Sequence, residues 1–109
     1  MIARLFLIIP VLTLPFAAMA QSAGGDPQAG RKTAATLCAP CHHIDATRRD
    51  GPPNFRDIAS MPSTTALSLK VFLRSSHNEM PNLIIPGSDV DDLIAYILSL
   101  KPPPAPERR

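Results

Sequence analysis

The chain has 109 residues, enough for one domain and one modest core. Eleven basic against nine acidic side chains leave a formal net charge of +2, which argues against nucleic acid or an anionic membrane surface as a partner. A domain this small seldom holds itself together on side chains alone, and its two cysteines are the only covalent means it has.

Residues 1–20 read as a secretory signal. Arg4 supplies the positive start, Leu5 to Leu14 the apolar middle, and Ala18-Met19-Ala20 a small-residue cleavage site. The competing reading is an uncleaved membrane anchor, but the apolar stretch is short for a span and contains Pro10 and Pro15. Cleavage removes only one charge, Arg4, and leaves Phe55, Phe72 and Tyr96 as the aromatic residues. Gln21 to Gly25 is small and polar and reads as a flexible lead.

Asp26-Pro27 is a helix start: an acceptor side chain at the cap, then proline at the first helical position. The helix is predicted over Pro27 to Leu37. Gly30, Thr33, Ala34, Leu37 and Cys38 share its buried face. Pro40 ends it inside the segment Cys38-Ala39-Pro40-Cys41-His42, the pattern of c-type haem attachment. Two thiols three positions apart can each add to one vinyl group on the same porphyrin edge. The following histidine then lies under the iron. Both cysteines of the chain are in this pattern. The rival readings are a thioredoxin-like dithiol, which lacks a flanking βαβ pattern, a zinc site drawing on His42, His43 or His77, and a structural disulfide.

Ile44 to Asp50 reads as a polar loop in which Arg48 and Arg49 are solvated or meet a partner. Gly51-Pro52-Pro53 forces an extended turn. Phe55 and Ile58 are apolar positions suited to touch a bound ring, and Met61-Pro62 closes the region. A second helix is predicted over Thr65 to Ser75, capped by Ser63 or Thr64, with Ala66, Leu69, Phe72 and Leu73 buried. A loop follows through His77, Met80 and Pro81 to Leu83, Ile84 and Ile85. Its apolar end implies packing against a flat, greasy surface. Ser88 and Asp91 have capping-box spacing, and Asp89, Asp91 and Asp92 suit the first turn of a last helix over Asp89 to Leu100. Val90, Leu93, Ile94, Tyr96, Ile97 and Leu100 form its apolar face. Residues 102–109 are proline-rich and charged, an extended tail. The fold class is all-α, with three main helices, two long loops and one domain over residues 21–101.

Four side chains are candidates for a second iron ligand. Met80 follows enough chain to pass around a macrocycle and return on its other side, and Pro81 stiffens its loop. Met61 also precedes a proline but allows a shorter return. His77 would give bis-histidine iron. His43, next to His42, cannot easily reach the far face.

From Asp26 to Lys101 the arrangement resembles a small bacterial class I (monohaem) c-type cytochrome. Gly30 matches the family glycine at the crossing of the first and last helices, and Leu93-Ile94-Ala95-Tyr96 matches the aromatic segment packed against it. Gly51-Pro52-Pro53 matches a Gly-Pro step whose proline carbonyl accepts the free ring N–H of the haem histidine; either Pro52 or Pro53 can supply it. His77-Asn78-Glu79-Met80-Pro81 matches the segment carrying the distal methionine. The chain departs from the family in having Ala34 where an aromatic is frequent. It has no tryptophan for a propionate, leaving Arg56, Ser60 and Asn82 as candidates, and no lysine-rich face.

The resemblance implies three main helices wrapped around one covalently attached haem c. Cys38 and Cys41 would hold it, His42 would be the proximal and Met80 the distal iron ligand, and Pro52, Pro53, Phe55 and Ile58 would surround it. Two protein ligands fill the iron, so the implied role is one-electron transfer rather than catalysis. The expected partners are periplasmic or membrane redox proteins that dock transiently at the haem edge, with neither nucleic acid nor a small-molecule substrate. The rival roles are the haem subunit of a periplasmic dehydrogenase or oxidase complex, and an open-iron enzyme or gas sensor. Without the macrocycle the core is incomplete, so the apoprotein is expected to be poorly folded.

Overall fold

The structure is a computed structural model and describes residues 24–76 and 79–103. Four helices follow one another: α1 (Pro27–Leu37), α2 (Phe55–Ser60), α3 (Ala66–Phe72) and α4 (Gly87–Ser99). Among the described residues there is no β-strand, and the fold is all-α. None of these helices is long and apolar enough to cross a membrane. The expectations for residues 1–20, for His77 and for most of the tail, residues 104–109, lie outside the described residues.

The first helix forms where the sequence places it. Asp26 is extended, and its carboxylate accepts the Gln28 N–H at 2.8 Å, with Pro27 opening the helix. At the other end the Cys38 N–H still bonds to the Ala34 carbonyl at 2.9 Å, so the first cysteine leaves directly from the last turn. Gly30, Ala34 and Cys38 are buried, whereas Thr33 is half-buried and Leu37 lies on the surface.

The core is the crossing of α1 and α4. A Cβ on Gly30 would lie 1.9 Å from the Asp92 carbonyl oxygen, so only glycine admits this approach. Gly25, expected in a flexible lead, makes the same kind of contact: its Cβ would meet the Asp91 carbonyl oxygen at 2.2 Å. The Asp26 N–H then donates to the Asp92 carboxylate at 2.7 Å, which fastens the start of α1 to α4. Val90, Leu93, Ile94, Tyr96 and Ile97 fill the interior beneath.

Several local expectations are corrected. The capping box of the last helix does not form. Pro86 takes the cap position without a side-chain bond, and the Ser88 hydroxyl donates to Asp89 at 3.2 Å. Asp91 instead accepts from the Lys70 ammonium at 2.9 Å and Asp92 from the Asp26 backbone, so partners on other elements replace the local cap. The cap of α3 is Thr65, in a reciprocal box with Ser68, rather than Ser63 or Thr64. Thr64 is buried and its hydroxyl donates to the Ile58 carbonyl at 2.6 Å. The helix stops at Phe72, where three-residue turns to Val71 and Phe72 replace a helical continuation to Ser75.

A fourth helix, α2, lies inside the segment read as loop, and Ile44 is a core residue rather than part of a polar loop. Arg48 pairs with Asp50 and Arg49 with Asp57, so neither is merely solvated. Of the apolar end of the distal loop, Ile85 packs against the core, while Ile84 is 96% exposed.

Candidate cofactor site

A solvent-open, apolar cleft lies between the helices and the distal loop. Cys38 and His42 enter it from the end of α1 and the following turn, and Phe55 and Ile58 from α2. Leu69 and Phe72 of α3, Met80 of the distal loop and Ile97 of α4 complete the wall.

The turn that carries the motif is wound tightly. The N–H groups of Cys41 and His42 both return to the Cys38 carbonyl, at 3.0 and 2.8 Å. The two cysteines form no disulfide with each other. Cys38 is buried and Cys41 exposed, and burial pushes the Cys38 thiol above its ordinary pKa.

Of the two adjacent prolines it is Pro53 whose carbonyl meets the His42 ring, 2.8 Å from Nδ1. A carbonyl accepts only, so Nδ1 carries the proton, and in the neutral ring Nε2 is left with the lone pair that can bind a metal. Pro52 makes no such bond and, like Pro53 and Cys41, is not part of the cleft wall. The His42 ring leans on Phe55, with centroids 5.7 Å apart and planes tilted by 53°. Phe55 leans in turn on Tyr96 at 6.2 Å and 51°. The aromatic of α4 is thus coupled to the site through one ring.

Met80 is half-buried in the same wall as His42. Met61 is 42% exposed and not part of it. His43 is engaged elsewhere, with Nε2 3.2 Å from the Asp50 carboxylate. The three propionate candidates are not in the wall either. Arg56 donates to the Asp45 carbonyl at 3.4 Å, Ser60 to the Arg56 carbonyl at 2.7 Å, and Asn82 is exposed.

Sequence reasoning missed two supporting groups. Asp45 accepts from the Tyr96 hydroxyl at 2.5 Å and takes a two-point fork from Arg31 at 3.1 and 2.5 Å. The Tyr96 hydroxyl is also 3.0 Å from the Ile44 carbonyl, so α1, α4 and the loop after His42 are tied at one point. Burial and then the Asp45 carboxylate push the Tyr96 phenol up to about 12. Arg31 and then Tyr96 hold Asp45 below the usual carboxylate range. The second group is Asn54, wholly buried at the start of α2. Asn54 with Asp57 three residues later is a legible cap signal, whereas nothing local marks Asp45.

Two thiols at the motif spacing, an imidazole with Nδ1 tied and Nε2 available, a thioether on the same wall and otherwise apolar surroundings suit a flat, iron-bearing macrocycle. Over 99 residues the chain is 30% identical to cytochrome c-552 of Bradyrhizobium diazoefficiens (strain USDA 110), covering 88% of this chain and 91% of that protein. No family model matches the chain, and no solved structure does. The chain belongs to the c-type cytochromes, a family of electron-transfer proteins that carry covalently bound haem.

Proposed function

We propose that this protein is an exported class I cytochrome with one haem c, carrying single electrons between redox partners of the periplasm or membrane. In this reading residues 1–20 are removed on export, residues 21–101 form the haem domain and residues 102–109 a flexible tail. Cys38 and Cys41 hold the macrocycle through thioether bonds, His42 is the proximal ligand and Met80 the distal one. The observation that carries the reading is a single apolar cleft shared by Met80 and a His42 whose Nδ1 is bonded to the Pro53 carbonyl.

Bound there, the haem supplies a reversible one-electron couple. The rest is the work of the chain. The Pro53 carbonyl fixes the tautomer and plane of His42 and makes its Nε2 a stronger donor. The soft thioether of Met80 favours ferrous iron and raises the potential above that of a bis-histidine site. With His42 and Met80 both holding the iron, no coordination place would be left for oxygen, peroxide or a substrate. Phe55, Ile58, Leu69 and Ile97 exclude water, so little solvent must reorganise as charge changes. Phe72, half exposed at the cleft, stands where an encounter partner would approach. Such carriers meet their partners through small interfaces.

The test is an optical spectrum of protein made where haem is attached, oxidised and then reduced. Sharp split bands on reduction and a weak far-red sulfur-to-iron(III) band on oxidation are expected. The far-red band should vanish in Met80→Ala and persist in Met61→Ala. A high-spin spectrum that shifts with carbon monoxide would replace the carrier by an open-iron enzyme or sensor, and a colourless product would overturn the haem reading. Co-purification with a flavin, quinone or molybdenum protein would make the chain a complex subunit instead of a free carrier. Mass spectrometry of the exported protein tests cleavage after Ala20.

A further inference from the structure

The geometry points to Asn54 as a positioning residue for His42, acting through the Pro53 carbonyl. The inference rests on the reading of His42 as the iron ligand and concerns what sets the strength of that ligand.

Proline locks φ at residue 53 but leaves ψ free, and ψ aims the carbonyl. A carbonyl and the next N–H lie in one rigid peptide plane. Whatever clamps residue 54 therefore removes the remaining freedom of the Pro53 carbonyl. The two prolines alone do not.

Asn54 is clamped on every side. It is 0% exposed. Its side-chain oxygen accepts the Asp57 N–H at 2.8 Å, capping α2. Its amide nitrogen donates to the Arg48 carbonyl at 2.9 Å, across the loop, and to the Asp57 carboxylate at 2.9 Å. Arg49 holds that same carboxylate from outside at 3.2 Å. One residue further on, the Phe55 N–H donates to the His43 carbonyl at 3.1 Å. The segment 53–55 is thus laid beside His42 and His43, with the Pro53 carbonyl held 2.8 Å from Nδ1.

A plain helix cap needs only the oxygen of Asn54. The nitrogen is what reaches Arg48 and closes the loop that leads to Pro53, and aspartate, serine or threonine would cap without making that bond. If only capping mattered, the bond to Arg48 would be without consequence at His42. If the carbonyl is being aimed, loosening Asn54 weakens the bond at Nδ1, makes Nε2 a poorer donor and favours ferrous iron.

The experiment measures the reduction potential of the haem-loaded protein by spectroelectrochemistry, and deuterium exchange of the His42 ring N–H by NMR. The proteins are wild type, Asn54→Ala, Asn54→Ser and Thr65→Ala. Loss of a metal ligand's own hydrogen-bond partner typically costs roughly 10–100-fold in metal affinity or activity; Asn54 acts one group further out, so the low end is taken for the redox ratio. Asn54→Ala is therefore expected to raise the reduced-to-oxidised ratio at fixed applied potential by roughly tenfold, about 59 mV for one electron, and to speed exchange of the ring N–H. Asn54→Ser keeps an acceptor for Asp57 and loses the reach to Arg48. It should still shift the potential in the same direction, and it carries the test alone if Asn54→Ala does not accumulate. Thr65→Ala removes the cap of α3 and controls for general loosening, so it should move neither reading.

Asn54 variants indistinguishable from Thr65→Ala in potential and exchange would overturn the inference and leave Asn54 a cap. Wild-type protein whose His42 ring protons show no haem-induced shift would instead sink the ligand assignment on which it rests.

Discussion

Gly30→Ala tests the crossing that holds both ends of the domain together. The new Cβ would lie 1.9 Å from the Asp92 carbonyl oxygen, 2.4 Å from its carbon and 2.8 Å from the Leu93 nitrogen, where ordinary contact starts at 3.4 Å. All three obstacles are backbone, so no rotamer can yield. The helices must part by about 1.5 Å, the difference between 3.4 and 1.9 Å, and the 2.7 Å bond from Asp26 to Asp92 stretches with them. Overpacking typically costs about 1–3 kcal/mol and more where backbone must move. The same change favours the helix by about 0.8–1 kcal/mol. With a rigid obstacle the upper end applies, and the net loss is about 2–3 kcal/mol. For a domain of this size that lowers the melting temperature by roughly 10–20 °C. Thermal unfolding of the haem-loaded protein, followed by far-ultraviolet circular dichroism, measures it. Ala35→Gly, at an exposed position of the same helix, reports propensity alone, a loss of about 1 kcal/mol. Gly30→Ala melting at or above wild type would refute the close crossing.

Two further predictions follow from the cluster behind the site. The folded state holds the Tyr96 proton more tightly than the unfolded chain, about 12 against 10.0, so its contribution is complete below pH 10 and is lost as pH rises towards 12. Tyr96 is the single tyrosine, so a carbon-13 label on its ring gives one resonance; it should titrate near pH 12, and a midpoint near 10 would contradict its burial. Asp45 has the opposite sign. Its carboxyl is depressed below 3.8 in the fold, so its contribution is present above that pH and fades as pH falls through the folded value. Asp45→Asn should flatten the acid limb of a denaturation series and leave the part due to Asp50, which is depressed by its own backbone and then by Arg48; an unchanged limb would mean that the fork from Arg31 is not maintained in solution.

What was legible in the sequence was local. Asp26-Pro27 starts α1 because an acceptor and a proline act within one turn, and the helix runs over the predicted residues. The motif at Cys38 to His42 is legible because its chemistry depends on spacing along the chain. Gly30 at the helix crossing is legible only through the family resemblance, because nothing near it in the sequence names the Asp92 backbone that it meets. What the tertiary structure decided was every choice between equivalent local options. Pro52 and Pro53 are both locked in φ, and only the loop closed by Asn54 selects the carbonyl that meets His42. Ser88 and Asp91 have the spacing of a cap, but Lys70 takes Asp91 and the box stays open. A six-residue helix is too short to show a period, so α2 emerges only through Asn54 and the burial of Phe55. Met61 and Met80 each precede a proline, and packing alone leaves the first on the surface and brings the second into the wall with His42. Spacing along the chain selects the groups that can react, and long-range contacts select the ones that meet.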